Sequence, residues 1–231
     1  RSAAELDEVL QLRYRVFNLE LGEGLESSHD SERDLDEFDA QCHHLIVRDS
    51  RRRTIVGTYR MQTAAMAEQG RGFYSADEFD FAGFPHAILE ESVELGRACI
   101  ARDHRNHAVL FLLWRGLAAY LEASGRRYLF GCCSLTSQDP AEGWSLDRKL
   151  RQAGQAHPEL RLSAREAYSC RGLAGADAAR AVHLPRLFRT YLRFGARTCS
   201  EPAIDRQFGT IDFLVLFDAE SLDSRARKMF F

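Results

Sequence analysis

Three charged residues interrupt stretches that otherwise read as buried strand: Arg60 in IVGTYRM (55–61), and Glu94 and Arg97 in ELGRACI (94–100). A carboxylate among apolar neighbours is a candidate base, because it can take a proton directly or through one water. An arginine in such surroundings needs a carboxylate partner. Its planar fork can also clamp a substrate carboxylate through two parallel hydrogen bonds. Both readings stay open. Glu94 is either a base or the ion-pair partner of Arg60 or Arg97, and the arginines either clamp substrate or build a network with Asp36 and Asp39 of the acidic run that precedes the first strand. On a strand, Glu94 shares a face with Glu90 and opposes Glu91.

Cys42-His43-His44 and Cys132-Cys133 invite a metal reading. Adjacent strand residues point to opposite faces, and neither C-x-x-C nor H-E-x-x-H spacing occurs, so no metal site is expected. The absence of a G-x-S-x-G elbow disfavours a serine hydrolase. Neither a Walker A motif nor G-x-G-x-x-G is present.

The net charge of −3 gives no basic surface of the kind nucleic acid requires. Only Lys149 and Lys228 of the 31 basic residues are lysines. The cluster Arg51-Arg52-Arg53 reads as a solvated turn or as a dock for an acidic partner. Six cysteines in a chain of 231 residues read as reduced thiols of a cytoplasmic protein. The longest apolar run, Ala108 to Trp114, suits a core helix and is too short to span a bilayer.

Apolar periodicity predicts a helix over 3–21, ended by Gly22 and Gly24, then a loop over 22–40. Strands over 44–47 and 54–61 form a hairpin. Residues 62–90 show no regular pattern. A strand follows over 92–100, then a helix over 107–123 with Asn106 as N-cap and Gly125 as its stop. A strand over 128–134, a short helix over 143–152, an extended stretch over 160–170, a helix over 185–194 and a last core strand over 211–217 complete the chain. This order suggests a mixed α/β sheet with a central helix.

Eight motifs in this order carry a family likeness: LRYRVF (12–17), DLDEFDAQCHHLIV (34–47), IVGTYRM, GFYSADEFDF (72–81), ELGRACI, LLWRGLAAYL (112–121), RYLFGCCS (127–134) and AIDRQFGTIDF (203–213). Together they resemble the ornithine–acyl-carrier-protein N-acyltransferases, a GNAT-like family that also carries the label hemolysin. A shorter likeness to acyl-homoserine-lactone synthases runs through Arg13, Phe17, Asp36, Asp39, Arg60, Glu94 and Arg97.

The resemblance implies an α/β GNAT-like fold, a mixed central sheet flanked by helices with a C-terminal extension. It implies one domain over 1–231, with 1–140 as the core and 141–231 completing the sheet and an acyl tunnel. It implies a (3-hydroxy)acyl chain delivered as the acyl-phosphopantetheine of acyl carrier protein, no bound cofactor, and the amine of ornithine as acceptor. Glu94 would face the thioester as base, and Asp36 and Asp39 would meet the ornithine side-chain ammonium. Ser134 would touch the pantetheine or leaving sulfur, or simply end its strand. The loop ARDHRNHA (101–108) lacks the glycines that hold a CoA pyrophosphate at a helix N-terminus. Its Arg102, His104, Arg105 and His107 would meet the acidic carrier or its phosphate. A lyso-lipid product implies peripheral contact with the inner membrane. Acylation of another amino acid or signal precursor, or a non-catalytic GNAT-like binding domain, are the alternatives; a secreted pore-former is disfavoured.

Overall fold

The computed structural model describes residues 2–172 and 180–231. Helix α1 (Ala3–Tyr14) starts on a capping box: Ser2 Oγ accepts from the Glu5 amide, and the Glu5 carboxylate accepts from the Ser2 amide. The expected helix then continues as a π-helical segment, Arg15–Leu21, stopped by Gly22 at φ 67°. The acidic loop holds one short helix, α2 (Ser28–Ser31).

Strands β1 (His43–Asp49) and β2 (Thr54–Thr63) form the expected antiparallel hairpin, with Arg51, Arg52 and Arg53 exposed in its turn. Residues 62–90 fold through α3 (Ala64–Gln69), two 3-10 turns (Tyr74–Asp77 and Phe81–Gly83) and α4 (His86–Glu90). No period marks this segment because its order comes from aromatic packing: Phe73, Phe81 and Phe84 surround Phe130 at ring separations of 5.1, 6.0 and 5.4 Å.

Strand β3 (Ser92–Ile100) leads to α5 (His107–Ser124), where Asn106 Oδ1 accepts from the Val109 amide and Gly125 supplies the left-handed stop. α5 buries Val109, Leu113, Leu117, Ala118 and Leu121 against the sheet, yet Leu112 is exposed, so one flank meets solvent. Strand β4 (Tyr128–Leu135) follows. Then α6 (Pro140–Gln152) begins three residues before its expected start, because Asp139 caps it and Pro140 fits the first turn. After α7 (Arg186–Arg193) come β5 (Arg197–Thr198), β6 (Ala203–Asp205), β7 (Thr210–Asp218) and α8 (Ser224–Phe230). The two short strands were not legible in the sequence. The stretch expected to be extended over 160–170 makes isolated bridges, such as Leu162 to Ser200, and turns through a 3-10 segment, Glu166–Tyr168.

The sheet runs β1-β2-β3-β4-β7-β5, with β6 also on β7. Among the described residues every pair is antiparallel except β3–β4. That parallel pairing covers only Ser92↔Tyr128, Val93↔Leu129 and Glu94↔Phe130, after which the strands part. Gly131 sits at the fork because a Cβ there would lie 2.1 Å from the Leu95 carbonyl oxygen. Just beyond it β3 bulges: Thr58 faces Cys99 but Arg60 faces Gly96, and Arg97 adopts φ 50°. A non-glycine residue in this region is strained, and such strain gathers at functional sites. Among the described residues no helix is long and apolar enough to cross a membrane.

Candidate active site

The fork between β3 and β4 opens a cavity of about 400 Å³, within the roughly 300–1,000 Å³ common for ligand sites. Cys132 and Cys133 point to opposite faces of β4 and both line it, so the cavity passes through the sheet. On the α5 side its walls are apolar, including Trp114, Leu117, Leu121, Phe188, Phe194 and Phe230. On the other side it ends among Tyr74, Arg97, Phe208, Thr210 and Asp212. A smaller polar pocket of about 160 Å³ lies beyond, lined by Asp36, Arg71, Glu78, Tyr168 and Asp205 among others. The two share Tyr74, Arg97 and Phe208 as their common wall.

Most of the sequence-predicted site residues behind that wall hold one another. Arg13 donates from Nε to Asp34 at 2.6 Å, and through both terminal nitrogens to Asp39 at 2.6 and 3.2 Å. Arg60 reaches Asp36 at 2.5 Å and Asp39 at 3.2 Å. Arg97 lies 3.2 Å from Asp34 and 3.0 Å from Asp36. Burial opposes ionisation of Asp34, but the Arg97 and Arg13 guanidinium groups outweigh it and hold its carboxyl below the usual range. Asp39 behaves alike, with Arg13 and Arg60 outweighing burial. Three guanidinium groups thus balance three carboxylates, an arrangement that sets the shape of the wall and leaves no surplus charge for a substrate carboxylate.

Glu94 is 5% exposed and faces away from the cavity lining. Its carboxylate accepts from the Tyr74 amide at 3.0 Å, the Ser75 amide at 2.8 Å, Ser75 Oγ at 2.6 Å and Gln62 Nε2 at 2.5 Å. It pairs with neither Arg60 nor Arg97 among the described residues. It anchors the 74–78 turn to β3.

That turn carries Glu78, which the sequence reading did not single out. Glu78 and Asp212 are 2% and 4% exposed, and their carboxylate oxygens and Cys132 Sγ lie within 4.8 Å of one another. Burial, then the charges of Asp212 and Asp205, push Glu78 well above the usual carboxylate range. Burial also raises Asp212, with hydrogen bonding from Ser134 and Glu78 pulling the other way. Burial keeps the Cys132 thiol protonated; it lies 3.6 Å from Ser75 Oγ and 3.9 Å from Glu78 Oε1. A protonated thiol and two carboxyl groups with raised affinity for protons make a hydrogen-bonded cluster. The signal for Asp212 was available: a lone carboxylate within the apolar strand IDFLVLF (211–217), the same feature that drew attention to Glu94.

Ser134 sits opposite Asp212 in the β4–β7 ladder and lines the cavity, as does Phe17. At the α5 N-terminus, Arg102 and His107 are exposed. His104 is held between Asp103 at 2.8 Å and Asp49 at 3.2 Å, and those carboxylates, Asp103 first, raise its pKa. Arg105 pairs with Glu20 at 2.5 Å. His43 bonds Tyr120 while His44 approaches the Asp39 carbonyl, so Cys42, His43 and His44 do not converge.

The acetyltransferase (GNAT) domain family matches residues 12–115. An L-ornithine N(alpha)-acyltransferase of Brucella abortus is 32% identical over 97% of this chain and 84% of its own. The same enzyme of Rhizobium meliloti is 33% identical over 97% of this chain and 80% of its own. That of Rhodobacter capsulatus is 30% identical over 100% and 92%. Among solved structures, the CoA-dependent acyl-homoserine lactone synthase BjaI superposes with a TM-score of 0.54 at 14% identity, over 98% of this chain and 82% of its own. The N-acyl amino acid synthase FeeM from uncultured soil microbes gives 0.52 at 8%, over 95% and 94%. At such identities the structural likeness speaks for the fold alone, and the fold is the GNAT-like one.

Proposed function

The chain belongs to the family of L-ornithine N(alpha)-acyltransferases, and from that premise we propose that it moves a (3-hydroxy)acyl chain from acyl carrier protein onto the α-amine of ornithine. The observation that carries this reading is the meeting of an apolar cavity with an acid-lined polar pocket at the β3–β4 fork. An acyl chain needs a dry tunnel, and an amine with a second ammonium needs carboxylates. The thioester joins them where the two meet. Beyond Glu94 the β3 backbone no longer pairs with β4, in the position where amide N–H groups can hold an oxyanion.

Acyl carrier protein is the donor in this reading because the loop 101–106 lacks the glycines of a pyrophosphate cradle, while Arg102 and His107 stand exposed beside it. The acidic pocket around Asp205 replaces Asp36 and Asp39 as the seat of the ornithine side chain, since those two are spent on arginines. Peripheral contact with the inner membrane, where a lyso-lipid product would partition, belongs to the same reading.

Incubation with 3-hydroxyacyl carrier protein and ornithine tests it. The expected result is N-acylornithine and one free carrier thiol per product. A folded sample that releases neither, with acyl-CoA offered as well, overturns the reading.

A further inference from the structure

We propose that Glu78 and Asp212 share one proton and together form the catalytic proton acceptor for the incoming ammonium, an inference that rests on the acyl-transfer reading above. Four observations on the structure carry it.

The two carboxyl groups approach within 4.8 Å in a buried site. Like charges so placed cannot both ionise at ordinary pH, and one proton is held between them. No cation relieves them: among the described residues neither makes an ion pair, and Arg97, which feels Glu78, is itself paired with Asp34 and Asp36. Glu78, Ser134 and Thr210 all hydrogen-bond to the Asp212 carboxyl group, so the shared proton is held inside a buried polar cluster. Finally, Asp212 lines the apolar cavity and Glu78 the polar pocket, so the pair bridges the two compartments whose contents must react.

The chemistry balances around this pair. An ammonium carries three protons, and the amide nitrogen keeps one. The pair accepts the first proton, freeing the nitrogen lone pair to form the C–N bond at the thioester carbonyl. On collapse the C–S bond breaks with its electrons on sulfur. Of the two protons shed by nitrogen, one ends on the departing thiol and one leaves to water. The groups facing the pair are Asp205 from β6, Cys132 and Cys133 from β4, Arg97 from β3, and Tyr74 and Tyr168 from the flanking turns. Only Arg97 among them is cationic, so the site favours the singly protonated pair over two charges. The hydrogen-bonded chain Glu94–Ser75–Cys132–Glu78 fixes the turn that presents it.

The test measures kcat/KM against pH for the parent, Asp212→Asn and Glu78→Gln, with 3-hydroxyacyl carrier protein and ornithine. The parent is expected to lose activity on its acid side above the ordinary carboxylate range. Asp212→Asn is expected to lower kcat/KM by roughly 10²–10⁴-fold and to shift that acid limb, because Glu78 is left to ionise without Asp212 beside it. Glu78→Gln is expected to move the limb downward, because Asp212 then ionises without a like neighbour. Variants that keep the parent's rate and limb, while the parent makes N-acylornithine, overturn the proton-sharing pair and leave the acyl-transfer reading standing. A folded parent that makes no N-acyl product overturns both. If the variants do not fold, the parent alone decides through the infrared carbonyl band of a buried carboxylic acid at neutral pH. Its presence and its loss on alkalinisation support the pair, and its absence overturns it.

Discussion

The guanidinium of Arg97 lies 4.3 Å from the ring centre of Phe208. Arg97 reaches this place only because β3 bulges and its backbone turns left-handed. Phe208 comes from the β6–β7 turn, so the contact joins the two halves of the sheet across the wall between the apolar cavity and the polar pocket. A thioester beside that wall must meet an amine and not water.

Phe208→Ala is therefore expected to uncouple the reaction. Loss of the cation–π contact lowers stability by about 0.5–2 kcal/mol, while opening the wall admits water. The measurement is the ratio of free fatty acid to N-acyl product, which should rise several-fold. Phe208→Trp, which keeps the ring face, should leave the ratio near that of the parent.

Glu94→Gln separates positioning from base catalysis. A glutamine presents an NH2 group to a site built from four donors, so buried donors lose their acceptor at about 1–3 kcal/mol. Thermal unfolding should fall accordingly, while kcat per folded molecule stays clear of the ~10²–10⁴-fold loss expected for a removed base. A normal melting temperature with that larger loss would return Glu94 to the chemistry.

Arg13→Ala leaves Asp34 and Asp39 buried with a missing partner and is expected to destabilise by about 3–5 kcal/mol. Denaturant titration checks this. The folded-state proton affinities of Asp34 and Asp39 are depressed, so the stability they provide is present above the ordinary carboxylate range and is lost as pH falls through their folded values. The destabilisation by Arg13→Ala should shrink in the same acid range.

Asp212 has the opposite sign. Below its unfolded pKa of roughly 3.9, folded and unfolded chains both hold the proton and the group is neutral to stability. As pH rises from there through the raised folded value, only the folded chain retains the proton, and stability falls. Asp212→Asn removes that loss and should raise stability at pH 8 by about 1–3 kcal/mol, with little gain at pH 4. Calorimetry at the two pH values measures the difference.

Several elements were legible because short-range rules decide them. Asn106 as a cap, Gly125 as a stop and the β1–β2 hairpin all follow from local backbone chemistry. The segment 62–90 was not, because Phe73, Phe81 and Phe84 are ordered by Phe130, far along the chain. The site divides the same way. Arg60 and Arg97 were read as one network with Glu94, Asp36 and Asp39; the structure joins the arginines and the two aspartates with Arg13 and Asp34, and leaves Glu94 to the 74–78 turn. Glu78 and Asp212 were passed over, since nothing within a strand or turn says that residues 78 and 212 meet. Only the placement of β7 beside β4, under the 73–84 segment, brings them together.

The most direct measurement offers 3-hydroxyacyl carrier protein and an equimolar mixture of ornithine, lysine, glycine, tyrosine and norvaline, with products read by mass spectrometry. Ornithine acylated on its α-nitrogen should dominate, because the acid-lined pocket around Asp205 accepts a second ammonium that norvaline lacks. N-acylnorvaline, N-acylglycine or N-acyltyrosine in equal or greater yield would contradict the assignment of that pocket to the acceptor's side chain.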